Sequence, residues 1–265
     1  MIKFLKKIPL IFFLSKKLIF IYKKIIYGIL FNKFIRRYYD RKLAQIEGVF
    51  MYLSNKKSYL KKNLPSPFNG QKTRIRIVNK IFASKKITRI YETGSFLGSS
   101  TLFMLKYNLP IHSCEISPYY YFIANDRLRK FKKIEIINSD SNNFLKSKLK
   151  KTNKMTFFYL DAHDDYQKNP LLTELEIIFE NLSNFIILID DFQVPHDHRY
   201  GYDSEGGYLL NLSYIKNFIN KKGTHIFFPK HKSNKETGLK RGSVYICKGS
   251  LGRKICNSIN ELTKY

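Results

Sequence analysis

The sequence has 265 residues, of which 44% are hydrophobic and 15% aromatic, with a formal net charge of +28 and no Trp. This length and apolar content suit one α/β domain with an N-terminal extension. The sequence has no internal repeats and no low-complexity tract beyond its Lys bias. The positive charge is only weak evidence for binding to nucleic acid or to an anionic membrane. A Lys-rich composition of this kind gives basic proteins of every function. Three cysteines, Cys114, Cys247 and Cys256, form no C-x-x-C pair and fit a protein of the reducing cytoplasm.

Residues 1–39 form an apolar and basic N-terminal extension. Residues 1–62 contain 16 Lys and Arg against Asp40 and Glu47, which is half of the net charge. Lys pairs interrupt every apolar run before it reaches the roughly 18 residues of a spanning helix, and no cleavage site of small residues follows. On a helical wheel Lys3, Lys6, Lys7, Lys17 and Lys24 fall within an arc of roughly 100°. This pattern is typical of a helix that lies in a membrane interface. Three interpretations stay open: binding to an anionic membrane surface at the inner face of the membrane, packing on the domain or on a second subunit, and disorder or removal by cleavage.

Residues 40–71 are predicted to form a second helix followed by a linker. The apolar face of this helix consists of Leu43, Ile46, Val49, Phe50 and Leu53. Pro65, Pro67 and Gly70 then end the helix, and the stretch up to Gln71 is either part of a lid over a ligand or a plain linker. The main domain is predicted at 72–265 and opens with a helix over 72–84.

A strand over 87–92 runs into a glycine-containing turn, Thr93-Gly94-Ser95-Phe96-Leu97-Gly98, and a helix begins near Ser99. A strand that feeds a helix through such a turn makes a concavity of nucleotide size. Glycine permits the tight turn and a close approach of the backbone to a ligand. The spacing departs from the dinucleotide pattern G-x-G-x-x-G, and Glu92 would repel a phosphate but suits a cationic ligand.

Further apolar strands follow, and the next four each end in polar or acidic residues. These strands are predicted at 111–115, 134–138, 156–160 and 185–189, with helices over 118–132 and 170–182 between them. Because open α/β sheets bind ligands at the carboxyl ends of their strands, the terminal acids should gather at one rim. After a polar loop at 192–203, taken as a wall of the substrate site, come a helix over 207–221 and strands at 224–228 and 242–248. The short link between the last two strands favours a hairpin, so the last strand is expected to be antiparallel.

These residues resemble the class I S-adenosylmethionine-dependent methyltransferases over roughly 72–250. The turn at 92–98 looks like their first motif, Glu115 matches their ribose-binding acid, and Asp140-Ser141 matches the adenine-side position. The resemblance implies a Rossmann-like, doubly wound, seven-stranded sheet that binds S-adenosylmethionine. The implied cofactor-binding residues are Glu92, Thr93, Gly94, Ser95, Gly98, Ser99, Glu115, Ile116, Asp140, Ser141 and Asp161.

A second pattern resembles the metal-dependent O-methyltransferases of the catechol and macrolide-sugar type. It consists of Tyr159-Leu160-Asp161-Ala162-His163 followed by Ile189-Asp190-Asp191. The resemblance implies that Asp161, Asp190 and Asp191 hold Mg²⁺ or Ca²⁺, which lowers the pKa of an acceptor hydroxyl. Those enzymes often place a Lys base three residues after the first acid, where this chain has Asp164. We therefore expect His163 to act as general base beside Asp161, on a small-molecule or glycan-sugar hydroxyl.

Two other classes of protein remain as alternatives. A nicotinamide-dependent oxidoreductase would share the strand–turn–helix and Glu115, but the missing glycine pair and Glu92 argue against it. A nucleic-acid methyltransferase or binding protein would explain the charge, but no Asn-Pro-Pro-Tyr-like motif follows the fourth strand. The sequence is compatible with a homo-oligomer.

Overall fold

The computed structural model describes residues 46, 48, 49, 51–53, 65–162, 169–204 and 208–265. The predicted extension at 1–39, together with His163 and Asp164, lies outside the described residues. Within the described part of the chain, no helix is long and apolar enough to cross a membrane.

Residues 46, 48, 49 and 51–53 are helical, but the buried face of this helix differs from the predicted one. Ile46 and Leu53 are 47% and 43% exposed, whereas Gly48 and Tyr52 are buried. A Cβ atom at Gly48 would lie 2.8 Å from the Cβ atom of Pro118, so only glycine allows this close packing. The helix is therefore oriented by a small residue, which an apolar pattern cannot reveal.

The described residues form one eight-stranded mixed sheet with the order β3-β2-β1-β4-β5-β7-β6-β8. The strands are β1 (Arg89–Thr93), β2 (Ile111–Glu115), β3 (Ile134–Asn138), β4 (Thr156–Leu160), β5 (Phe185–Asp190), β6 (Thr224–Pro229), β7 (Ser243–Lys248) and β8 (Leu262–Lys264).

Strands β1 to β5 are parallel, and β7 inserts antiparallel between β5 and β6. The predicted antiparallel strand is thus confirmed, as is the Rossmann-like α/β sheet. Strand β8 pairs antiparallel with β6 and was not predicted, because three residues carry too little periodicity to be recognised.

The helices lie on both faces of this sheet. They are α1 (Lys72–Ala83), α2 (Ser99–Met104), α3 (Pro118–Leu128), α4 (Ser141–Lys148), α5 (Leu171–Asn181), α6 (Lys216–Ile219) and α7 (Gly249–Asn257), with short 3-10 turns at Pro67–Gly70, Leu105–Tyr107 and Ser233–Lys235. The predicted helix over 207–221 is wrong for most of its length. Leu210 donates its N–H to Asp203 O and accepts from Gln193 N, so the loop after β5 takes the bonds that a helix would need.

Alternate residues of the strands supply two apolar cores, one on each face of the sheet. One core includes Phe158 and Ile187 and is covered by α4 and α5, while the other includes Phe157 and Leu188 and is covered by α1 and α7. Strands β4 and β5 are buried along their whole length, as expected for central parallel strands. Their polar residues therefore emerge only at the carboxyl ends, where they form the rim of a candidate site.

Candidate active site

The turn after β1 has no room for a side chain at its two glycines. Gly94 and Gly98 have φ angles of 83° and 80°, which L-residues rarely adopt. A Cβ atom at Gly94 would lie 2.8 Å from the carbonyl carbon of Asp161 and would collide with its oxygen. A Cβ atom at Gly98 would lie 2.7 Å from the Leu128 Cδ1 atom. The turn is thus packed tightly against the end of β4 on one side and α3 on the other.

Glu115, the last residue of β2, lies beside this turn and is held by backbone amides. Its Oε2 atom accepts from Phe96 N at 2.8 Å, and its Oε1 atom accepts from Ser117 N at 2.8 Å. The two amides therefore hold both carboxylate oxygens, which are hydrogen-bond acceptors, in fixed positions beside the turn. Two oriented acceptors of this kind suit the paired hydroxyls of a ribose, and Ile116, 45% exposed, provides an apolar surface next to them.

Hydroxyl groups in the turn also fit a polar ligand. The Oγ atoms of Ser95 and Ser99 are buried, and neither has a hydrogen-bond partner among the described residues. Buried polar atoms are normally satisfied, so these two are positions that a bound ligand could complete. The glycine turn, the oriented Glu115 carboxylate and these hydroxyls together fit S-adenosylmethionine, which combines a ribose with a charged amino-acid group.

Glu92 lies behind the turn and does not point toward the rim. Its Oε2 atom accepts from Ser113 Oγ at 2.7 Å and from Thr101 Oγ1, and the side chain is buried. Burial raises the pKa of Glu92 to about 7, although the two hydroxyl donors lower it. The contact with Thr101 fixes the start of α2 against the sheet, so Glu92 supports the shape of the turn from within.

Asp140 and Ser141 follow β3, where the resemblance implies an adenine-side contact. The Oδ1 atom of Asp140 accepts from Asn143 N at 2.9 Å and so caps helix α4. Ser141 is buried. The structure shows the capping contact, and the role in adenine binding stays a prediction.

A buried acid that the sequence did not reveal lies beneath this side of the site. Glu174 is on α5, and burial raises its pKa to about 7, while hydroxyls of Ser141 and Thr93 lower it. Its Oε1 atom has no hydrogen-bond partner in the described part of the chain. The only signal was a Glu among the apolar positions of the α5 face, which is easily assigned to solvent.

At the end of β5, Asp190 is enclosed by donors. Its Oδ1 atom accepts from Arg74 Nη1 and from Asp191 N at 2.8 Å. Its Oδ2 atom accepts from Tyr159 Oη at 2.6 Å and from Asn69 Nδ2 at 3.1 Å. These four donors use the four lone-pair positions of the carboxylate.

A second arginine pairs with the neighbouring acids. The Nε atom of Arg241 donates to Asp191 Oδ1 at 2.6 Å, and its Nη2 atom donates to Asp203 Oδ1. Asp191 has a φ angle of 52°, so the backbone itself turns this carboxylate toward the loop after β5. Neither Arg241 nor Arg74 could be identified among 48 Lys and Arg from the sequence alone.

Asp161 completes the rim at the end of β4. Its Oδ2 atom lies 2.9 Å from Tyr159 Oη and shares the single proton of that hydroxyl with Asp190 Oδ2, which is closer at 2.6 Å. Burial, followed by the charges of Asp190 and Asp191, raises the pKa of Asp161 well above its usual range, and Tyr159 and Arg74 lower it. The pKa of Asp191 is raised to about 6, mainly by burial and by Asp190.

The predicted metal ligands do not fit a divalent-cation site in this arrangement. No group of three or more His, Cys, Asp or Glu side chains among the described residues could hold a metal ion. Asp190 has no acceptor position left, and Asp191 is turned toward Arg241. The sequence placed Asp161, Asp190 and Asp191 correctly at one rim, but it could not show which cations reach them from distant parts of the chain.

Two other predicted elements of the site have a structural role. Phe68 is buried against Tyr159 with ring centroids 5.0 Å apart, and Asn69 O accepts from Leu239 N, so the stretch before α1 is fixed to the rim. In the loop predicted as a substrate wall, Asp197 accepts from Ser233 N and Oγ, both at 2.8 Å. Such contacts hold both segments in place, and contact with a substrate stays a prediction.

Comparisons with known proteins gave matches among solved structures only. No family model matches the chain, and no curated protein matches it. The methyltransferase domain of bacterial CtHen1-C is 16% identical with a TM-score of 0.47, covering 69% of this chain and 99% of that one. A SAM-dependent methyltransferase from Aquifex aeolicus is 13% identical with a TM-score of 0.45, covering 72% and 96%. Magnesium protoporphyrin IX methyltransferase from Synechocystis, solved with bound SAM, is 8% identical with a TM-score of 0.43, covering 67% and 78%. For this chain, the strand order and the glycine turn establish a Rossmann-like α/β fold, and the candidate site lies at the carboxyl ends of its parallel strands.

Proposed function

We propose that the protein is an S-adenosylmethionine-dependent methyltransferase that acts on a hydroxyl group of a small molecule or a glycan sugar. The observation that carries this proposal is the Glu115 carboxylate, which two backbone amides orient beside the glycine turn. A nicotinamide-dependent enzyme would share this acid, so the turn separates the two classes. Its E-x-G-x-x-x-G spacing lacks the glycine pair of a pyrophosphate-binding turn, and a nucleoside without phosphates needs no such pair. The strand order agrees with this class, in which the sheet ends in an antiparallel strand.

The residues of the rim provide positioning and a proton acceptor. When bound, S-adenosylmethionine supplies a methyl group on a sulfonium, so the transfer depends mainly on the alignment of donor and acceptor. Overall, the acceptor oxygen gains the methyl group and loses its proton, and S-adenosylhomocysteine is released. Asp161 adjoins Gly94 and has a raised pKa, so we assign its carboxylate as the group that takes the proton, with His163 as the second candidate from the sequence. The divalent cation predicted from the sequence is left out of this proposal because the described carboxylates do not fit one.

The acceptor class and the location rest on the neighbourhood of the site. The loop after β5 is polar, and the basic apolar extension at 1–39 suits an anionic membrane surface, so a glycan or lipid-linked sugar is the favoured acceptor. We propose a cytoplasmic protein that associates peripherally with the inner face of the membrane.

Calorimetry with S-adenosylhomocysteine and with NADH tests the cofactor class. We expect saturable one-to-one binding of S-adenosylhomocysteine and none of NADH. Binding of NADH alone would favour the oxidoreductase alternative. Tight, strongly salt-dependent binding of RNA or DNA, without binding of S-adenosylhomocysteine, would favour the nucleic-acid alternative.

A further inference from the structure

We propose that Arg74 and Arg241 are the resident cations of the acidic rim and take the place that a divalent metal ion would occupy. The protein then binds its cofactor, and transfers the methyl group, without a divalent ion. This inference rests on the proposed function for its catalytic meaning, but the cation site itself can be tested by binding alone.

The first support is the complete use of the Asp190 carboxylate. Arg74, Tyr159, Asn69 and the Asp191 amide donate to its two oxygens. A metal ion would have to displace at least one of these donors from a side chain that is closed to solvent. Displacing Arg74 would leave a buried guanidinium without its counter-ion, which is strongly unfavourable.

The second support is the geometry of Arg241. Its Nε and Nη2 atoms bind two different carboxylates, those of Asp191 and Asp203, and so bridge the end of β5 to the following loop. The guanidinium is planar and always protonated, so it is a fixed positive charge at any physiological pH. A metal ion that bound acids of both segments would have the same structural role.

The third support is that the two arginines are linked to each other. The Nη2 atom of Arg74 donates to the carbonyl oxygen of Arg241 at 2.6 Å and to that of Gly242 at 3.2 Å. Arg74 therefore fixes the backbone from which the side chain of Arg241 extends. The two guanidinium charges together equal the charge of one divalent cation, and they offset repulsion among Asp190, Asp191 and Asp203, with which they pair.

Titration of the full chain with Mn²⁺, followed by electron paramagnetic resonance, tests the inference. We expect no saturable binding by the wild-type protein up to millimolar Mn²⁺. The variant Arg241→Gln removes the cation shared by Asp191 and Asp203 and should bind Mn²⁺ saturably, with a dissociation constant at least tenfold below the highest concentration tested on wild type. Arg199→Gln is a matched control, because Arg199 pairs with Asp197 outside the rim and its loss should leave Mn²⁺ binding unchanged.

Two results would overturn the inference: saturable Mn²⁺ binding by wild type that is lost in Asp191→Asn, or an Arg241→Gln variant that binds Mn²⁺ no better than wild type. S-adenosylhomocysteine binding is measured in parallel, in EDTA and in Mg²⁺, and we expect equal affinity in both. Binding that requires Mg²⁺ would also contradict the inference. If S-adenosylhomocysteine binds in neither condition, the proposed function fails, while the Mn²⁺ result still decides the role of the arginines.

Discussion

The guanidinium of Arg74 and the carboxylate of Asp190 form an ion pair closed to solvent, with 2% and 0% of the two side chains exposed. Arg74 lies on the helix that precedes the first strand, and Asp190 ends the fifth strand. The pair therefore joins the first helix of the sheet domain to the rim of the candidate site. Stability and the shape of the site depend on the same contact.

Replacement of Arg74 by Met should destabilise the protein by about 3–5 kcal/mol, because it leaves the Asp190 charge buried without a counter-ion. Urea unfolding measures this loss. Arg76→Met is the matched control on the same helix, because Arg76 is 56% exposed and lies 3.9 Å from Glu261. Its loss should cost at most about 1 kcal/mol. Equal unfolding midpoints for the two variants would show that the buried pair contributes nothing specific.

Glu115→Ala should weaken S-adenosylhomocysteine binding by about 1–3 kcal/mol through lost hydrogen bonds to the ribose. Calorimetry of the folded variant measures this change. Glu135→Ala is the control on the neighbouring strand, where the side chain contacts Lys148 and His112 at the sheet edge. It should leave the affinity unchanged. Wild-type affinity in Glu115→Ala would remove the ribose assignment.

Gly94→Ala should cost substantially more stability than Gly223→Ala. Both glycines have similar φ angles of 83° and 80°, so both variants incur the left-handed penalty of roughly 1–2 kcal/mol. Only at Gly94 does the new Cβ atom meet a neighbour, the Asp161 carbonyl, whereas nothing lies within 4 Å of a Cβ atom at Gly223. Thermal unfolding of the two variants separates the collision from the backbone strain. Similar losses at both positions would mean that the turn relaxes freely.

Glu174 should make the stability depend on pH below neutrality. Burial raises its pKa from 4.5 to about 7, so the folded protein binds this proton more tightly than the unfolded chain. Its contribution is fully present below about pH 4.5 and is lost as the pH rises toward 7. Relative to Glu174→Gln, the free energy of unfolding of the wild type should therefore fall by about 2–3 kcal/mol between pH 5 and 8. Glu92 is present in both proteins, so its similar pH effect cancels in the comparison. A stability difference between the two proteins that does not change with pH would contradict a raised pKa of Glu174.

The extension at 1–39 should bind anionic membranes. The full chain should sediment with phosphatidylserine vesicles, and a chain that begins at Asp40 should not. Because attraction between Lys and anionic lipid is screened, salt should release part of the bound protein. Equal sedimentation of both chains would favour packing on protein as the role of this extension.

Much of the sheet could be predicted from the sequence, because central parallel strands are continuous apolar runs. The predicted bounds of β2, β3 and β4 agree with the structure, and the five parallel strands bring the predicted acids to one edge. The glycine turn was also recognisable, since its backbone conformation excludes side chains. These features are local in the sequence, so a local pattern is enough to identify them.

Only the tertiary structure decided what each of these acids contacts. Glu92 turns into the interior because Ser113 and Thr101, on β2 and α2, offer it hydroxyls. Asp190 pairs with Arg74, which lies 116 positions earlier in the chain. Asp191 pairs with Arg241, which lies 50 positions later. A carboxylate at a strand end is attracted equally to a metal ion and to a guanidinium. The choice between them depends on which cation the folded chain places within hydrogen-bond distance. The same acidic pattern in a sequence is compatible with either cation, so only the tertiary structure decides.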